Sequence, residues 1–310
     1  MTTAEQMVGA LRAVLAPALG FEAEQVAVDN LRPFRRTGNR ISWAFDAVTP
    51  YARTALILQV GELNATRARP QLQARAQLAA AAKGAPVPRV IAADDSAGAL
   101  GSPYVISEVV RGEADHADIV RELDSADPQA GRARLLRQCA RALAAIHLVD
   151  LQSEEGVRAD RLDECRRALD TPGYTSAPFE FAFRWLAAHQ PLPAAVVLVH
   201  GDYRMGNLLV DGTDLTAVLD WEAMRGGEAY QDLAWFCLRR WRFGAPASLA
   251  AGGLGTIEDF LSAYEEAGAA TVDREVFHWW RVLTTLFWGI TCCEQVQMWL
   301  QDKSPPCRWR

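Results

Sequence analysis

A short β-rich segment, Val196 to Asp220, stands out in the second half of this chain because the residues around it are patterned for helices. The apolar run Val196-Val-Leu-Val199 leads into His200-Gly-Asp202, and a loop then reaches Gly206-Asn207. Two short apolar strands joined at Asp211-Gly212 follow and end at Asp220. Polar side chains at strand ends combine a rigid scaffold with freedom to face a ligand, so we expect the functional site here.

The polar residues of this segment match the needs of phosphoryl transfer. That reaction requires a carboxylate to orient the attacking hydroxyl and oxygen ligands to hold Mg²⁺ on the phosphates. Asp202, Asn207 and Asp220 supply this set in the order found in protein kinases. The alternative is that they only cap turns. His-Gly-Asp-x-x-x-Gly-Asn is expected by chance less than about one time in ten thousand, which favours the kinase-type site.

The first third of the chain predicts a small antiparallel sheet lobe. Five β-rich runs are separated by turn signals: Val26 to Phe34, Arg40 to Val48, Thr54 to Val60, Arg89 to Ala93 and Pro103 to Val110. Helix formers from Pro70 to Gly84 predict one helix on this sheet. An amphipathic N-terminal helix ends at Gly20 and lacks the basic start of a signal peptide. We place the lobe boundary near Arg111-Gly112, with residues 1–110 as the nucleotide-binding lobe.

Residues 111–310 predict a larger, mainly helical lobe that holds the catalytic and substrate-binding groups. One helix is expected from about Asp127, with its apolar face formed by Leu135, Leu136, Cys139, Leu143 and Ile146. Further helices are expected at Glu180 to Ala188, Tyr230 to Arg240, Ile257 to Ala267 and Arg274 to Gln301. A chain of 310 residues exceeds the usual size of a single core. The pattern therefore predicts an α+β fold with two lobes.

Aromatic residues on the last long helix have two interpretations. They include Trp279, Trp280, Trp288, Trp299, Phe277 and Phe287. At helical spacing such a stripe is usually core, but ligand pockets are also lined by aromatic groups. His147, at the end of an earlier helix, is expected to be a hydrogen-bonded structural histidine rather than a catalytic one.

Charge and cysteine usage limit the classes of partner. The net charge of −6 argues against a general nucleic-acid binder, because phosphate-backbone binding depends on clustered Lys and Arg. No run reaches about 18 apolar residues, so no membrane span is expected. The six cysteines lack C-x-x-C pairs and are expected as free thiols in a reducing cytoplasm. A cytoplasmic protein with a small-molecule partner is the expectation, and the oligomeric state stays open.

Around these residues the sequence resembles the aminoglycoside phosphotransferase and choline kinase superfamily. The resemblance extends over six further stretches: Pro86-Val-Pro-Arg-Val90, Ser107-Glu-Val-Val-Arg-Gly112, Val218-Leu-Asp-Trp-Glu222, Gly227-Glu228, Asp232-Leu-Ala-Trp-Phe-Cys237 and Trp241-Arg-Phe-Gly244. The last is most similar to the branch related to phosphotransferase domains fused to acyl-CoA dehydrogenases. The resemblance implies a two-lobe kinase-like fold and transfer of the γ-phosphoryl group of ATP or GTP to a small-molecule hydroxyl.

The resemblance also implies roles for individual residues. Asp202 would be the catalytic carboxylate, with Asn207 and Asp220 as Mg²⁺ ligands. Glu108, Val109 and Val110 would form the hinge that meets the adenine edge, and Gln59 would stand at the phosphate-binding position. His200, Arg204, Glu222 and Asp232 would support the site, His200 as a loop organiser and Asp232 as buried support for the loop. The acceptor could be a hydroxylated lipid or acid metabolite, or an antibiotic hydroxyl.

The sequence departs from the family pattern at the phosphate-binding pair. The family has Lys or Arg at the end of the third strand and an acidic partner on the next helix, where this chain has Gln59 and Gln73. A hydrogen bond between the two amides would keep the geometry without a formal charge, and Arg35, Arg36 or Arg40 offers a replacement cation. The rival hypothesis is a degenerate kinase that binds a ligand or partner without turnover.

Overall fold

The computed structural model describes residues 4–37, 40–61, 68–125, 127–150, 160–170 and 176–302, with the side chains of residues 4, 35–37, 40, 301 and 302 excepted. In chain order the elements are α1 (Ala4–Leu19), β1 (Ala27–Thr37), β2 (Arg40–Val48), β3 (Arg53–Val60), α2 (Pro70–Ala82), β4 (Val90–Asp94), β5 (Tyr104–Glu108), α3 (His116–Asp124), α4 (Pro128–His147), α5 (Arg161–Leu169), α6 (Ala177–Ala188), β6 (Val196–Val199), β7 (Leu208–Asp211), β8 (Asp214–Val218), β9 (Arg225–Glu228), α7 (Tyr230–Phe236), α8 (Ile257–Glu266) and α9 (Arg274–Asp302).

Strands β1 to β5 form one antiparallel sheet in the order β1-β2-β3-β5-β4. The first three strands are neighbours both in the chain and in the sheet, so the predicted meander is confirmed. Leu56 and Leu58 of β3 are buried on one face, where they share a small core with Leu11 and Leu15 of α1. Because side chains alternate along a strand, Gln59 lies on the opposite face of the sheet.

Helix α2 connects the sheet lobe to the larger lobe. Its Ala76 and Ala80 belong to the same core as the helices of the larger lobe. Ala68, just before α2, donates its N–H to the carbonyl of Glu222 at 2.7 Å. Pro86, just after α2, accepts a hydrogen bond from Val218 N at 2.8 Å. Both contacts reach the β7–β8 hairpin or the turn that follows it, so α2 bears directly on the position of that turn.

Helix α4 lies at the centre of the larger lobe. The predicted apolar face is confirmed as buried: Leu135, Leu136, Cys139, Leu143 and Ile146. The helix begins at Pro128, a residue suited to a first turn, and the side chain of Asp127 caps it by accepting from Ala130 N. The buried Tyr203 hydroxyl donates to the Cys139 carbonyl at 2.7 Å. The core helix thereby positions the loop that follows β6.

Two strand predictions are corrected by the structure. β5 ends at Glu108 rather than at Val110, although Val109 N still donates to the Ala55 carbonyl at 2.9 Å. β9 lies beyond the predicted β-rich segment and pairs with β6 through Arg225–Glu228. Its central residues, Gly226 and Gly227, have low intrinsic strand propensity, so the pairing partner rather than the local sequence makes this segment a strand.

One helix prediction is corrected, and two helices are found that the sequence did not predict. α7 ends at Phe236 instead of Arg240, because Leu238 adopts an extended backbone (φ −64°, ψ 135°), and a turn of 3₁₀-helix then covers Arg239–Arg242. Helices α3 and α5 were not predicted. Each has nine residues, too few for a strong periodic signal, and each begins after an aspartate, Asp115 or Asp160, whose side chain accepts the first free N–H groups.

The elements form the predicted α+β architecture of two lobes, a small antiparallel sheet lobe and a larger helical lobe. The boundary near residue 111 stays a prediction. Among the described residues, no helix combines the length and the apolar character needed to cross a bilayer.

Candidate active site

His200 organises the loop that follows β6. Its Nε2 lies 2.9 Å from the Leu219 carbonyl, which can only accept, so Nε2 carries the proton. Its Nδ1 then accepts the N–H of Asp202 at 3.3 Å. The ring is fully buried and meets the Trp221 ring edge-on at 5.0 Å between centroids. His200 thus links the loop at Asp202 to the strand end that precedes Asp220.

Asp232 holds the same loop from the other side. Its carboxylate is completely buried and accepts His200 N at 2.6 Å and Gly201 N at 2.9 Å. His147 Nε2 lies 3.2 Å from the same carboxylate, and His147 Nδ1 contacts the Tyr264 hydroxyl at 2.7 Å. His147 is therefore hydrogen-bonded on both ring nitrogens, as the sequence predicts. Burial raises the pKa of Asp232, but its hydrogen bonds and its electrostatic interactions with His147 and His200 together outweigh burial and lower the pKa below its usual value.

Three donors converge on Asp202. Arg204 Nε lies 3.0 Å from Oδ1 and 3.1 Å from Oδ2. Asn207 Nδ2 donates to Oδ2 at 2.7 Å, and Trp235 Nε1 donates to Oδ1 at 2.7 Å. The carboxylate is still 25% exposed, so it is held in one orientation while one side stays open to a ligand.

Asn207 and Asp220 occupy adjacent positions at the open end of the β7–β8 hairpin. Leu208 pairs with Val218, and Leu219 N donates to the Asn207 carbonyl at 2.8 Å. Asp220 follows directly in the left-handed backbone region (φ 64°), a conformation that is sterically unfavourable without Gly and is often found at functional sites. The Asn207 Nδ2 group is committed to Asp202, which leaves its Oδ1 as an acceptor.

The electrostatics of this corner suit a divalent cation. Burial is the main cause that raises the pKa of Asp202, and the negative charge of Asp220 raises it further, while Arg204 opposes both. Two carboxylates and an amide oxygen are the hard donors that Mg²⁺ prefers. The residues present therefore fit a magnesium ion held by Asn207 and Asp220 beside Asp202. Within the described residues, no group of three His, Cys, Asp or Glu side chains forms another candidate metal site.

Trp235 is the contact to Asp202 that the sequence pattern did not indicate. It lies three residues after Asp232 on α7, so one helix supplies both the buried carboxylate under the loop and the indole N–H to Asp202. The Arg204 guanidinium, which contacts Asp202, lies over the Trp241 ring with 4.5 Å between Cζ and the ring centroid. The stretches Asp232-Leu-Ala-Trp and Trp241-Arg-Phe-Gly, in which a role was expected only for Asp232, therefore both reach the site.

The backbone N–H groups of the three predicted hinge residues differ in their hydrogen bonding. Glu108 N donates to the Arg89 carbonyl and Val109 N to the Ala55 carbonyl, each at 2.9 Å. Among the described backbone hydrogen bonds, Val110 N donates to none, so of the three N–H groups it is the one available to a ligand. The Glu108 side chain pairs with Arg89 at 3.1 Å, which keeps it at the sheet edge. The structure thus places these residues at the end of β5, as a hinge requires.

The Gln59–Gln73 hydrogen bond considered from the sequence is wrong. Gln73 is buried, and its Nε2 donates to the Ala68 carbonyl at 2.6 Å. Gln59 is half-buried on β3 between Ser42 and Val105 of the neighbouring strands. Gln73 turns toward the start of its own helix because Ala68, one turn earlier, offers a free carbonyl. The side chains of Arg35, Arg36 and Arg40 lie outside the described part of the structure.

On the acceptor side, two small cavities lie beside the loop. Their volumes are about 20 and 40 Å³. The smaller is lined by Gly201 and Trp235 together with Thr284 and Phe287 of α9, and both share Arg161, Gln231, Trp280 and Leu283. The aromatic stripe of α9 belongs both to the core and to the cavity walls, so the two interpretations do not exclude each other: Phe277, Trp279 and Trp280 are core residues, and Trp279, Trp280 and Phe287 line the cavities. Glu222 lies instead near the start of α2, where its carbonyl accepts Ala68 N.

We expect Gly201→Ala to destabilise the protein far more than Gly20→Ala. Both glycines have positive φ, 82° and 79°, so both substitutions carry the same backbone strain of about 1–2 kcal/mol. A Cβ at Gly201 would lie 2.3 Å from the Ala223 carbonyl oxygen, whereas one at Gly20 meets nothing within 4 Å. Urea unfolding of the two variants measures the difference. Equal losses would show that the loop does not need this close approach.

We expect Asp232→Asn to lower the free energy of unfolding by about 3–5 kcal/mol at neutral pH, because it leaves buried donors without their charged acceptor. The lowered pKa means that the ionised Asp232 stabilises the fold above the unfolded-state value of about 3.9 and that this contribution is lost as pH falls through the folded-state pKa. The deficit of the variant should therefore shrink in acid. Asp150→Asn, whose side chain is 92% exposed, is the control and should change little. A loss of stability in Asp232→Asn that does not vary with pH would contradict the lowered pKa of Asp232.

Comparison with solved structures supports the same architecture. A protein from Ralstonia eutropha assigned as an aminoglycoside phosphotransferase superposes with a TM-score of 0.71 at 21% identity, over 95% of this chain and 90% of that one. Spectinomycin phosphotransferase APH(9)-Ia, solved with ADP and spectinomycin, gives a TM-score of 0.59 at 11% identity over 97% and 88%. At these identities the similarity shows the shared kinase-like fold.

Comparison of sequences identifies the family. The mouse (Mus musculus) protein acyl-CoA dehydrogenase family member 10 is 28% identical over 177 residues, which cover 53% of this chain and 16% of the mouse protein. The chain thus spans about a sixth of the length of that relative. Residues 38–269 match the phosphotransferase enzyme family (APH), which is most of the 310-residue chain. The chain belongs to the phosphotransferase enzyme family.

Proposed function

We propose that this protein transfers the γ-phosphoryl group of ATP or GTP to a hydroxyl group of a small molecule, with Asp202 as the catalytic carboxylate. The observation that supports this most directly is the convergence on Asp202 of Arg204, Asn207 and Trp235 beside the turn that carries Asp220. A pure binding module has no evident need for a carboxylate held by three donors next to a second carboxylate. Family membership favours the same reaction type.

In this mechanism Asp202 aligns the acceptor hydroxyl for in-line attack on the γ-phosphorus. It accepts the hydroxyl proton as the new P–O bond forms and the bond from the γ-phosphorus to the β–γ bridging oxygen breaks, which releases the nucleoside diphosphate. The three donors restrict rotation of the carboxylate, so its open edge points in one direction. Arg204 keeps a positive charge beside Asp202, which favours the ionised form needed before proton transfer. Its guanidinium is held in turn by the Trp241 ring.

On the nucleotide side, Asn207 Oδ1 and Asp220 would hold Mg²⁺, which would neutralise charge on the triphosphate. Val110 N–H would donate to the base at the hinge formed with Glu108 and Val109. Gln59 would donate its amide N–H to a phosphate oxygen, a weaker contact than the Lys or Arg of related kinases because it carries no charge. We place the reaction in the cytoplasm, where the buried thiols of Cys139 and Cys165 stay reduced.

The acceptor would carry a carbonyl-type oxygen in addition to its hydroxyl. Trp280 Nε1 and Gln231 Nε2 are buried without a hydrogen-bond partner and both line the two acceptor-side cavities. An indole nitrogen can only donate, so it fits a carbonyl or carboxylate oxygen and opposes an ammonium group. A buried donor without a partner is unfavourable by about 1–3 kcal/mol, and a substrate oxygen would remove that penalty. The cavities have room for a single group of this kind.

We expect the native chain to bind ATP or GTP in a Mg²⁺-dependent manner, as measured by calorimetric titration with and without the metal. Asp220→Ala should weaken that binding by about tenfold or more. Asp202→Asn should leave nucleotide binding nearly unchanged and reduce phosphoryl transfer by about 10²–10⁴-fold. Binding that ignores Mg²⁺ or Asp220, or turnover that survives Asp202→Asn, would move the assignment to the degenerate, non-catalytic alternative.

We expect Trp280→Phe to raise KM for acceptors that carry a carbonyl or carboxylate oxygen by about 3–10-fold with a smaller change in kcat, since one neutral hydrogen bond is lost. A panel of such alcohols and matched amino alcohols, assayed for nucleotide consumption, measures this. Trp279→Phe is the matched control: Trp279 also lines the larger of the two cavities, but its Nε1 donates to the Leu186 carbonyl at 3.0 Å and is not available to a substrate. It should lower stability and leave KM unchanged. A preference for the amino alcohols would contradict the proposed acceptor class.

A further inference from the structure

A much larger cavity lies on the opposite face of α9 from the acceptor side. Its volume is about 450 Å³, within the usual range for small-molecule sites. His278, Arg281, Val282 and Thr285 of α9 line it, at the spacing of one helix face, whereas Trp280, Thr284 and Phe287 face the acceptor-side cavities. The remaining walls come from α6, the end of α7 and the turn after α7. We call it the arginine cavity.

The charged groups of the arginine cavity are all basic. Arg239 and Arg242 of the 3₁₀ turn and Arg281 of α9 line it together with His278, and no Asp or Glu is among the described lining residues. None of the three arginines has an ion pair in the described part of the chain. By contrast, Arg274 at the start of the same helix contacts both Glu258 and Glu265.

The basic lining of this cavity contrasts with the net charge of −6 of the whole chain. Three like charges around one cavity repel each other unless an anion lies between them, and guanidinium groups bind carboxylate and phosphate oxygens through paired N–H donors. Part of the cavity wall is apolar and includes Phe179 of α6, Leu238 after α7 and Leu286 of α9. A small inorganic anion would pair with the arginines and leave this apolar wall without a partner.

We propose that the arginine cavity binds an amphiphilic anion, an alkyl chain that ends in a carboxylate or phosphate group. The head group meets Arg239, Arg242 and Arg281, and the chain covers Phe179, Leu238 and Leu286. The lining residues do not include Asp202, Asn207 or Asp220, nor the Asp202 partners Arg204 and Trp235. The proposal does not depend on the proposed phosphoryl transfer. Removal of the cavity's charges therefore leaves Mg²⁺–nucleotide binding unchanged.

Calorimetric titration of the full chain with decanoate and decyl phosphate tests this, with decanol and decyltrimethylammonium as neutral and cationic controls. Decanoate and decyl phosphate both bind, and their relative affinity shows which head group the site prefers. Decanol and decyltrimethylammonium do not bind. The triple variant Arg239→Gln, Arg242→Gln, Arg281→Gln loses at least about tenfold in affinity, and higher salt weakens binding to the native chain. The matched control Arg12→Gln, which removes one exposed charge from α1, has no effect.

A second variant separates the head group from the alkyl chain. Val282→Trp narrows the cavity and keeps all three arginines, so it weakens binding of the decyl ligands when its thermal unfolding midpoint stays near that of the native chain. Should this variant disturb the fold, Ala182→Leu on α6 is the smaller substitution at the same cavity. Equal binding of decanol and decanoate, or unchanged affinity in the triple arginine variant, overturns the proposal. Unchanged affinity in both of these variants overturns the alkyl component.

Discussion

The geometry of the site depends on the hydrogen bonds that the buried carboxylate of Asp232 accepts. It accepts the N–H groups of His200 and Gly201, so the chain must turn at that point in one way. Removing a carboxylate from water is unfavourable unless its oxygens are satisfied, and here two backbone donors and His147 satisfy them. Because His147 ends α4 and contacts Tyr264 of α8, the loop is tied to the centre of the larger lobe rather than to the surface.

This single anchor also explains why Asp202 is well oriented. Asp232 and Trp235 lie on the same short helix, so the element that holds the loop also delivers the indole N–H to Asp202. On the other side of the loop, His200 reaches the Leu219 carbonyl, one residue before Asp220. Buried hydrogen bonds in the larger lobe therefore contribute directly to the relative positions of the two carboxylates, and α2 supports the turn at Asp220 from the other side.

The sequence predicted those parts of the structure whose information is local. His200, Asp202, Asn207 and Asp220 lie within one segment, so their spacing alone indicated a shared site, and the strands of the sheet lobe followed from turn signals and alternation. Trp235 is thirty-three residues from Asp202, and β9 becomes a strand only because β6 lies beside it. Neither leaves a local pattern. The unpartnered Trp280 donor is equally invisible in the sequence, since the same stripe contains core tryptophans.

Gln73 shows how a neutral residue can take a structural role at a position where related kinases use charge. Its amide donates to the Ala68 carbonyl, and Ala68 N donates in turn to the Glu222 carbonyl, two residues after Asp220. A glutamate at this position would place an acceptor against the Ala68 carbonyl and break the chain of donors. Glutamine at position 73 therefore supports, from the side of α2, the turn that carries Asp220. Because Gln73 is neutral, no cation is needed at position 59 to balance a buried acid.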